Sequence, residues 1–578
     1  VSAPSLENRK IIRFPTFFFS LLMKMRATLL VWGLGLLALA RPMRGQGQAP
    51  GWQWAAAQQR QNQVQYFDPA YSNDVAVDAV DNVYVAGSFE GELRIGTTLL
   101  TSRGGRDMFV AKYAAAGNLL WVQQEGGTGD DEYYGLALTP GGSPVLTGMI
   151  GPGGRVGSST FGYGMVVSSY TAQGGLQWVR HYAGGVGYDM TLDASGNAYV
   201  VGGFSGELAL GSTTLRTPPP SLGAGGVLNG FVAKLDASGT IQWAQQLSSS
   251  THAYGANVSV DPGGAVYVCG NYSGDVQVDG LSGQPYSSSS LVLKLTAQGT
   301  PVWLRSIGSP AVPGAYPPTT TVRAIAADGS GVVITGQIMQ TINFDALSIT
   351  SPKYDAFVAR YDAQGTASWV QLVPSTLGYN SGNSVVLSAA GDAYVAGVLN
   401  LVPGTAIDND GNSDSFVAKY DLGGTLHWLQ QTGGATSNDA ASCAVLAPSG
   451  DIVVSGWYAG PTSFGATTLN TQRPRQRSGY VARLSATVLG TRASLAKAPL
   501  AAWPNPSQGA AAVQLAWPGR AAASTLRVLN PLGQLLHTQV VPARAAGATL
   551  STAGLPAGRY VVQLLADDGV MTQSIIVE

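Results

Sequence analysis

One sixteen-residue unit constrains this chain more than any other feature, FVAKLDASGTIQWAQQ at Phe231 to Gln246. It returns as FVARYDAQGTASWVQL from Phe357, as FVAKYDLGGTLHWLQQ from Phe416 and, more worn, as FVAKYAAAGNLLWVQQ from Phe109. Recurrence at about sixty-residue intervals marks an array of supersecondary units, each too small to bury its apolar face alone.

Each copy reads as two pairs of short strands. In the first copy these are VAVD and NVYVAG, split by a DAVDN turn, then FVAKY and LLWVQQ, split by AAAGN. Runs rich in Val, Tyr and Phe, punctuated by Gly and Asp, are strand and turn signals. The first pairs end at Gly87, Gly148, Gly202, Gly270, Gly336, Gly397 and Gly456, which predicts seven copies. The Trp-bearing strands number only six, at Trp121, Trp178, Trp243, Trp303, Trp369 and Trp428. The seventh copy runs out at GYVARLSATVLG, whereas GWQWAAAQQ, with Trp54, stands alone ahead of the first copy. The early strand is therefore predicted to complete the last copy and close the array, leaving no open sheet edge.

Composition agrees with many strands and tight turns: 76 Gly, 31 Pro, 24 Tyr and 12 Trp, with only 11% charged residues. Residues 1–45 hold seven Lys and Arg against Glu7, so the rest of the chain carries about -7 of a net -1 and no nucleic-acid partner is expected. Met23 to Ala40, MKMRATLLVWGLGLLALA, has the basic start and short apolar core of a signal peptide, with Met23 or Met25 as the natural start; no stable membrane span is expected after cleavage. Cys269 and Cys443, each in an apolar strand-like run, are expected to be buried free thiols.

The repeats resemble the SBBP type of β-propeller repeat, which joins an FVAKLD strand, a Gly turn, a Trp strand and a GNxYVxG strand. FVAKLDASGTIQW and DASGNAYVVG carry the likeness, while MVVSSYTAQGGLQW and LVLKLTAQGTPVW are degenerate. The resemblance implies a propeller and says little about activity. Beyond Gly490 the period stops. WPNPSQG, TLRVLNPLGQLLHTQVV and LPAGRYVVQLLADDGVMTQSIIVE then resemble the type A sorting domain of type IX secretion. Pro504, Asn505 and Pro506 match its PNP motif, and Leu555, Gly558 and Tyr560 its LxxGxY strand. Its central DxxGR turn is met only in part, with Gly533 kept and Asn530 in place of Asp. That resemblance implies Sec export, type IX passage, and the type IX machinery as a partner.

The expected fold is all-β: a seven-bladed β-propeller closed by an N-terminal strand, followed by a small Ig-like β-sandwich. The expected divisions are a leader at 1–45, the propeller at 46–490, a linker at 491–500 and the sorting domain at 501–578. Connections within each strand pair are short and the others long, so binding is expected on the face where the long ones emerge. Tyr71, Tyr134, Tyr188, Tyr254, Tyr316 and Tyr379 enter the first strands from that face. They are candidates for stacking on sugars or anchoring a protein, or else are repeat residues packing loop on sheet. Asp408, Asp410 and Asp414 offer oxygen ligands for calcium, but without EF-hand order. Catalytic motifs are missing: the four His are scattered, and there is no GxSxG, HExxH or P-loop. A non-catalytic surface or secreted binding module for a protein or glycan, with no cofactor, is the primary expectation. A secreted enzyme, polysaccharide-active or quinone-dependent, and a purely structural surface protein stay open beside it.

Overall fold

A computed structural model describes residues 50–61, 71–218, 227–311, 316–375, 380–400, 413–433, 438–472, 476–485 and most of 501–577. The chain divides into units 1–47 and 48–578, and the described residues belong to the second. The leader call and the linker at 491–500 lie outside them. Every regular element among the described residues is a β-strand, and none is a helix able to cross a membrane.

The first repeat shows the plan. Tyr71–Val77, Val83–Phe89, Asp107–Tyr113 and Leu119–Glu125 pair antiparallel in chain order. The second and third are buried at every position, so VYVAGSF and DMFVAKY read as unbroken apolar runs, as strands covered on both faces must. The same four-strand order recurs from first strands Glu132–Leu138, Gly185–Leu192, His252–Val260, Thr319–Asp328, Ser381–Leu387 and Asp439–Leu446. In the last of these sets the fourth strand is Trp52–Arg60, antiparallel to Ser478–Leu484 with Trp54 opposite Arg483. Each first strand lies against the first strand of the next set, and Asp439–Leu446 lies against Tyr71–Val77.

The unit FVAKLDASGTIQW holds one sheet together and binds the next. Lys234 Nζ sits 3.6 Å from Asp193 and 4.8 Å from the Tyr199 ring centroid, tying the third strand to the turn before the second. Asp236 accepts the Ser238 and Thr240 backbone N–H groups, both at 2.9 Å, and so folds the DASGT turn. Trp243 then leaves its own sheet: its indole N–H donates to Ala297 O at 3.1 Å, in the corresponding turn of the following repeat. Trp121, Trp303 and Trp369 do the same to Ala172, Ala363 and Leu422, and Trp54 to Ala115 of the first repeat.

Long connections between the second and third strands of a repeat, where described, carry regular structure. They fold into hairpins such as Glu92–Ile95 with Thr98–Thr101 and Glu207–Leu210 with Thr213–Arg216. Leu93, Ile95, Leu208 and Leu210 are fully buried. The first hairpin pairs with Trp52–Arg60, Gln58 opposite Ile95. These connections are inter-sheet clasps, and their apolar residues belong to the core.

The C-terminal segment forms two antiparallel sheets, one of Ala501–Trp503, Ala512–Ala516 and Gly547–Ser551. The other holds Leu535–Val541, Ser524–Leu529, Gly558–Ala566 and Gly569–Val577 in spatial order. Val513, Leu515, Leu526, Val528, Val562 and Leu564 share one core.

Candidate functional site

The first strands surround a channel, and each is interrupted by one bulge. The extra residues are Asn73, Tyr134, Tyr188, Ala256, Arg323, Asn383 and Ser442. A bulge puts two residues opposite one and re-aims the unpaired side chain. All seven line the same cavity, of about 300 Å³. A second cavity, of about 550 Å³, shares Tyr188, Ala256, Arg323, Asn383 and Ser442 with it and continues past Tyr254 and Thr321, toward the start of the strands. The bulges thus form a belt between a wider mouth and a narrower chamber.

A bulge also leaves backbone donors out of the ladder, and the belt satisfies them across sheets. In four of the seven strands the residue after the bulge accepts from a backbone N–H of the next strand. Asp74 takes Leu136 N at 2.6 Å, Asp189 takes Val258 N at 2.8 Å, Asn257 takes Ile325 N at 2.9 Å and Ser384 takes Ala444 N at 3.0 Å. Asp74 also accepts from Val75 N at 2.8 Å and from the Cys443 thiol at 2.9 Å. Burial pushes the Asp74 carboxyl up to about 6 and Asp189 well above the usual carboxylate range, the latter helped by the Asp74 charge. Cys443 is half-buried on the channel wall, not interior as expected, whereas Cys269 is fully buried; both are free.

Because folding raises these carboxyl pKa values, the stability they contribute is complete below pH ~4, near the unfolded value, and is lost as pH climbs through the folded ones. Asp189→Asn should therefore melt higher than the parent chain at pH 7.5 and match it near pH 4, since Asn257 already fills this position in the following repeat. Equal melting temperatures at pH 7.5 would show Asp189 to be unstrained as an anion.

Three of the six candidate tyrosines meet at the channel. Tyr134 and Tyr188 stand edge to face at 6.0 Å between ring centroids, and Tyr188 and Tyr254 at 5.9 Å, making a curved aromatic wall over three consecutive repeats. Burial and the Glu132 carboxylate hold the Tyr134 phenol protonated, while Arg106 pairs with Glu132 at 2.8 Å. Tyr71 opens its strand at the position Tyr254 holds in its own. Tyr316 is 80% exposed and does not line either cavity, and Tyr379 lies outside the described residues.

Arg323, Asn383, Ser442 and Asn73 were not singled out by sequence. Arg323 keeps exposed surface in the channel, yet the protein packed around it removes enough solvation to lower its pKa. It has no hydrogen-bond or ion-pair partner among the described residues. Its backbone is fixed by the buried Asn271, which donates to Val322 O and accepts from Val322 N, both at 2.9 Å.

Only Asp414 of the calcium candidate falls within the described residues, among which no group of metal-ligating side chains occurs. Asp408 and Asp410 lie outside them, and Asp414 accepts from Gln431 as Asp107 does from Gln124. Of the sorting-motif residues, Pro504, Asn505, Pro506 and Gly533 also lie outside. Leu555 is half-buried and donates its N–H to Thr552 O, Gly558 opens a strand, and buried Tyr560 donates its hydroxyl to Pro556 O at 2.6 Å.

Residues 501–578 match the model of the secretion system C-terminal sorting domain. Over 68% of its length the chain is 20% identical to an uncharacterised WD repeat-containing protein of Acanthamoeba polyphaga mimivirus, and it spans about a third (35%) of that relative. Among solved structures, a gluconolactonase of Xanthomonas campestris aligns over 76% of this chain and 99% of its own, at 12% identity and a TM-score of 0.25. A PL25 ulvan lyase aligns over 85% and 98%, at 12% and 0.31, and an apocarotenoid oxygenase of Synechocystis over 87% and 97%, at 10% and 0.33. None of these three likenesses bears on the activity of this chain. The terminal match does bear on its destination: the chain is cargo of type IX secretion, delivered to the cell surface or released, and its sorting domain engages that machinery.

Proposed function

We propose that residues 46–490 are a seven-bladed propeller of SBBP-type repeats, closed by its N-terminal strand, and that this propeller is a non-catalytic module binding a glycan at its channel mouth. Sec-dependent export through the leader belongs to the same reading. Closure is supported by the two partners of Trp52–Arg60, one in the last set and one in the first. The observation that carries the binding role is the Tyr134, Tyr188 and Tyr254 wall, whose amphipathic rings suit the apolar faces and rim hydroxyls of a sugar. A cavity of about 550 Å³ fits one or two sugar units and is too small for a folded protein. The carboxyls beside the belt, Asp74 and Asp189, are already engaged by backbone N–H groups, which favours binding over acid–base chemistry.

The test is a glycan array probed with the full chain and with a Tyr134→Ala/Tyr254→Ala variant. Retention of at least one glycan class, weakened tenfold or more by the double substitution, is expected. Retention that is indifferent to both substitutions would place the ligand elsewhere on the molecule.

A further inference from the structure

Resting on that reading, the geometry points to an anionic sugar as the ligand: we infer that Arg323 binds a carboxylate or sulfate ester carried by a ring seated on the tyrosine wall. Three observations converge. The lining is asymmetric: Arg323 shares the narrower cavity with Tyr134 and Tyr188 and the wider one with Tyr188 and Tyr254, and the belt continues with the small polar Asn383, Ser442 and Asn73. An aromatic surface and a cation thus adjoin in one cavity, with room opposite them.

Arg323 is also a cation with no ion-pair partner among the described residues, whereas the carboxyls on the same cavity, Asp74 and Asp189, accept backbone N–H groups. A guanidinium crowded by protein with no carboxylate beside it is held at a cost in solvation, and its planar fork of donors matches a carboxylate or sulfate oxygen pair. Two arginines of the third strands behave differently: Arg360 pairs with Asp328 at 2.8 Å, and Arg483 with Asp451 at 2.9 Å and Asp81 at 3.0 Å. Those two do the tying that Lys234 does in its own repeat. Arg323 ties nothing.

Lastly, its position is built. Asn271 clamps both backbone polar groups of Val322, and Ser290 Oγ accepts the same Val322 N–H at 2.9 Å while donating to Asn271 Oδ1 at 2.7 Å. The residue before Arg323 is therefore locked by a buried network, which preorganises the cation for its partner.

The experiment titrates the full chain with three probes: oligogalacturonate, its methyl ester, and a sulfated galactan oligosaccharide. The ester keeps the sugar and removes the charge, and the sulfated probe separates the two sources of anion. Oligogalacturonate or the sulfated probe should bind at least tenfold tighter than the ester, and Arg323→Gln should abolish that preference. The affinity for the acidic probe should also lose salt dependence in the variant. Equal binding of acid and ester, with Arg323→Gln silent, would overturn the inference and leave the glycan reading standing. Failure of all three probes and of every array glycan would remove both. Since the Arg323 side chain has no hydrogen-bond or ion-pair partner among the described residues, Arg323→Gln should melt no lower than the parent chain; a lower melting temperature would assign Arg323 to the scaffold and end the proposal.

Discussion

A chain lacking residues 50–61 is expected to unfold from its last sheet, at a cost above about 5 kcal/mol. That is of the order of the whole stability of many domains. The strand Trp52–Arg60 has partners on both edges, Ser478–Leu484 and the Glu92–Ile95 hairpin. Gly51 O also accepts the Ser485 N–H at 2.9 Å. Within the strand, Gln58 is fully buried, takes a hydrogen bond from Ser72 and donates to the Tyr113 hydroxyl at 3.4 Å, reaching into the first repeat. Trp54 bridges the same junction through Ala115 at 3.0 Å. Truncating one packed Trp costs about 3–5 kcal/mol, and the deletion adds two lost ladders and an exposed edge on Ser478–Leu484.

Arrays of repeats lose stability locally before they lose it globally. Limited proteolysis should cut first within 438–484 and in the 92–101 hairpin, with a matching fall in melting temperature. First cuts between 252 and 308, or an unmoved melting temperature, would count against the strand as the closing element. A synthetic 50–61 peptide added back should restore protection if the strand acts by docking alone.

The strands were legible because a buried strand is a run of Val, Phe, Tyr and Ala bounded by Gly and Asp, and seven such pairs recur along the chain. The clasps were not legible. Strands of three or four residues, such as ELRI and TLLT, are too short for alternation to separate them from a loop, so the same segments were read only as long connections. The belt was hidden for another reason. A bulge breaks the period of two at one residue, and the seven residues placed there, from Asn73 to Ser442, share no chemistry. Tyrosine was visible by type, which found Tyr134, Tyr188 and Tyr254 but also gathered Tyr316, which stands in solvent. Arg323 carried no signal, since one Arg in a Thr-rich strand looks like surface. Cys443 was misread because an apolar neighbourhood in sequence does not show which face of a first strand meets the channel.

Trp243 and Gly299 should be coupled, although 56 positions of sequence separate them. Trp243 is predicted to cost about 3–5 kcal/mol on truncation to Ala, through lost apolar contact and the lost donor to Ala297. Gly299 sits at φ +84°, and a Cβ there would lie 2.6 Å from Trp243 Cδ2. Gly299→Ala is therefore expected to cost about 2–4 kcal/mol, from the left-handed backbone and the forced shift of the indole together. Once Trp243 is gone only the backbone penalty, about 1 kcal/mol, is left at position 299. The double variant should accordingly be less destabilised than the sum of the singles, by about 1–2 kcal/mol, where independent sites would add to within about 0.5. Urea melts of the four chains measure this directly. Strict additivity would mean that the indole yields freely to a methyl group. The turn glycine would then be kept for its φ alone, and the tryptophan of one repeat would not be registered by the turn of the next. Gly117 meets Trp54 at 2.8 Å in the same way, so a matching cycle there reads the same coupling across the junction between the last sheet and the first.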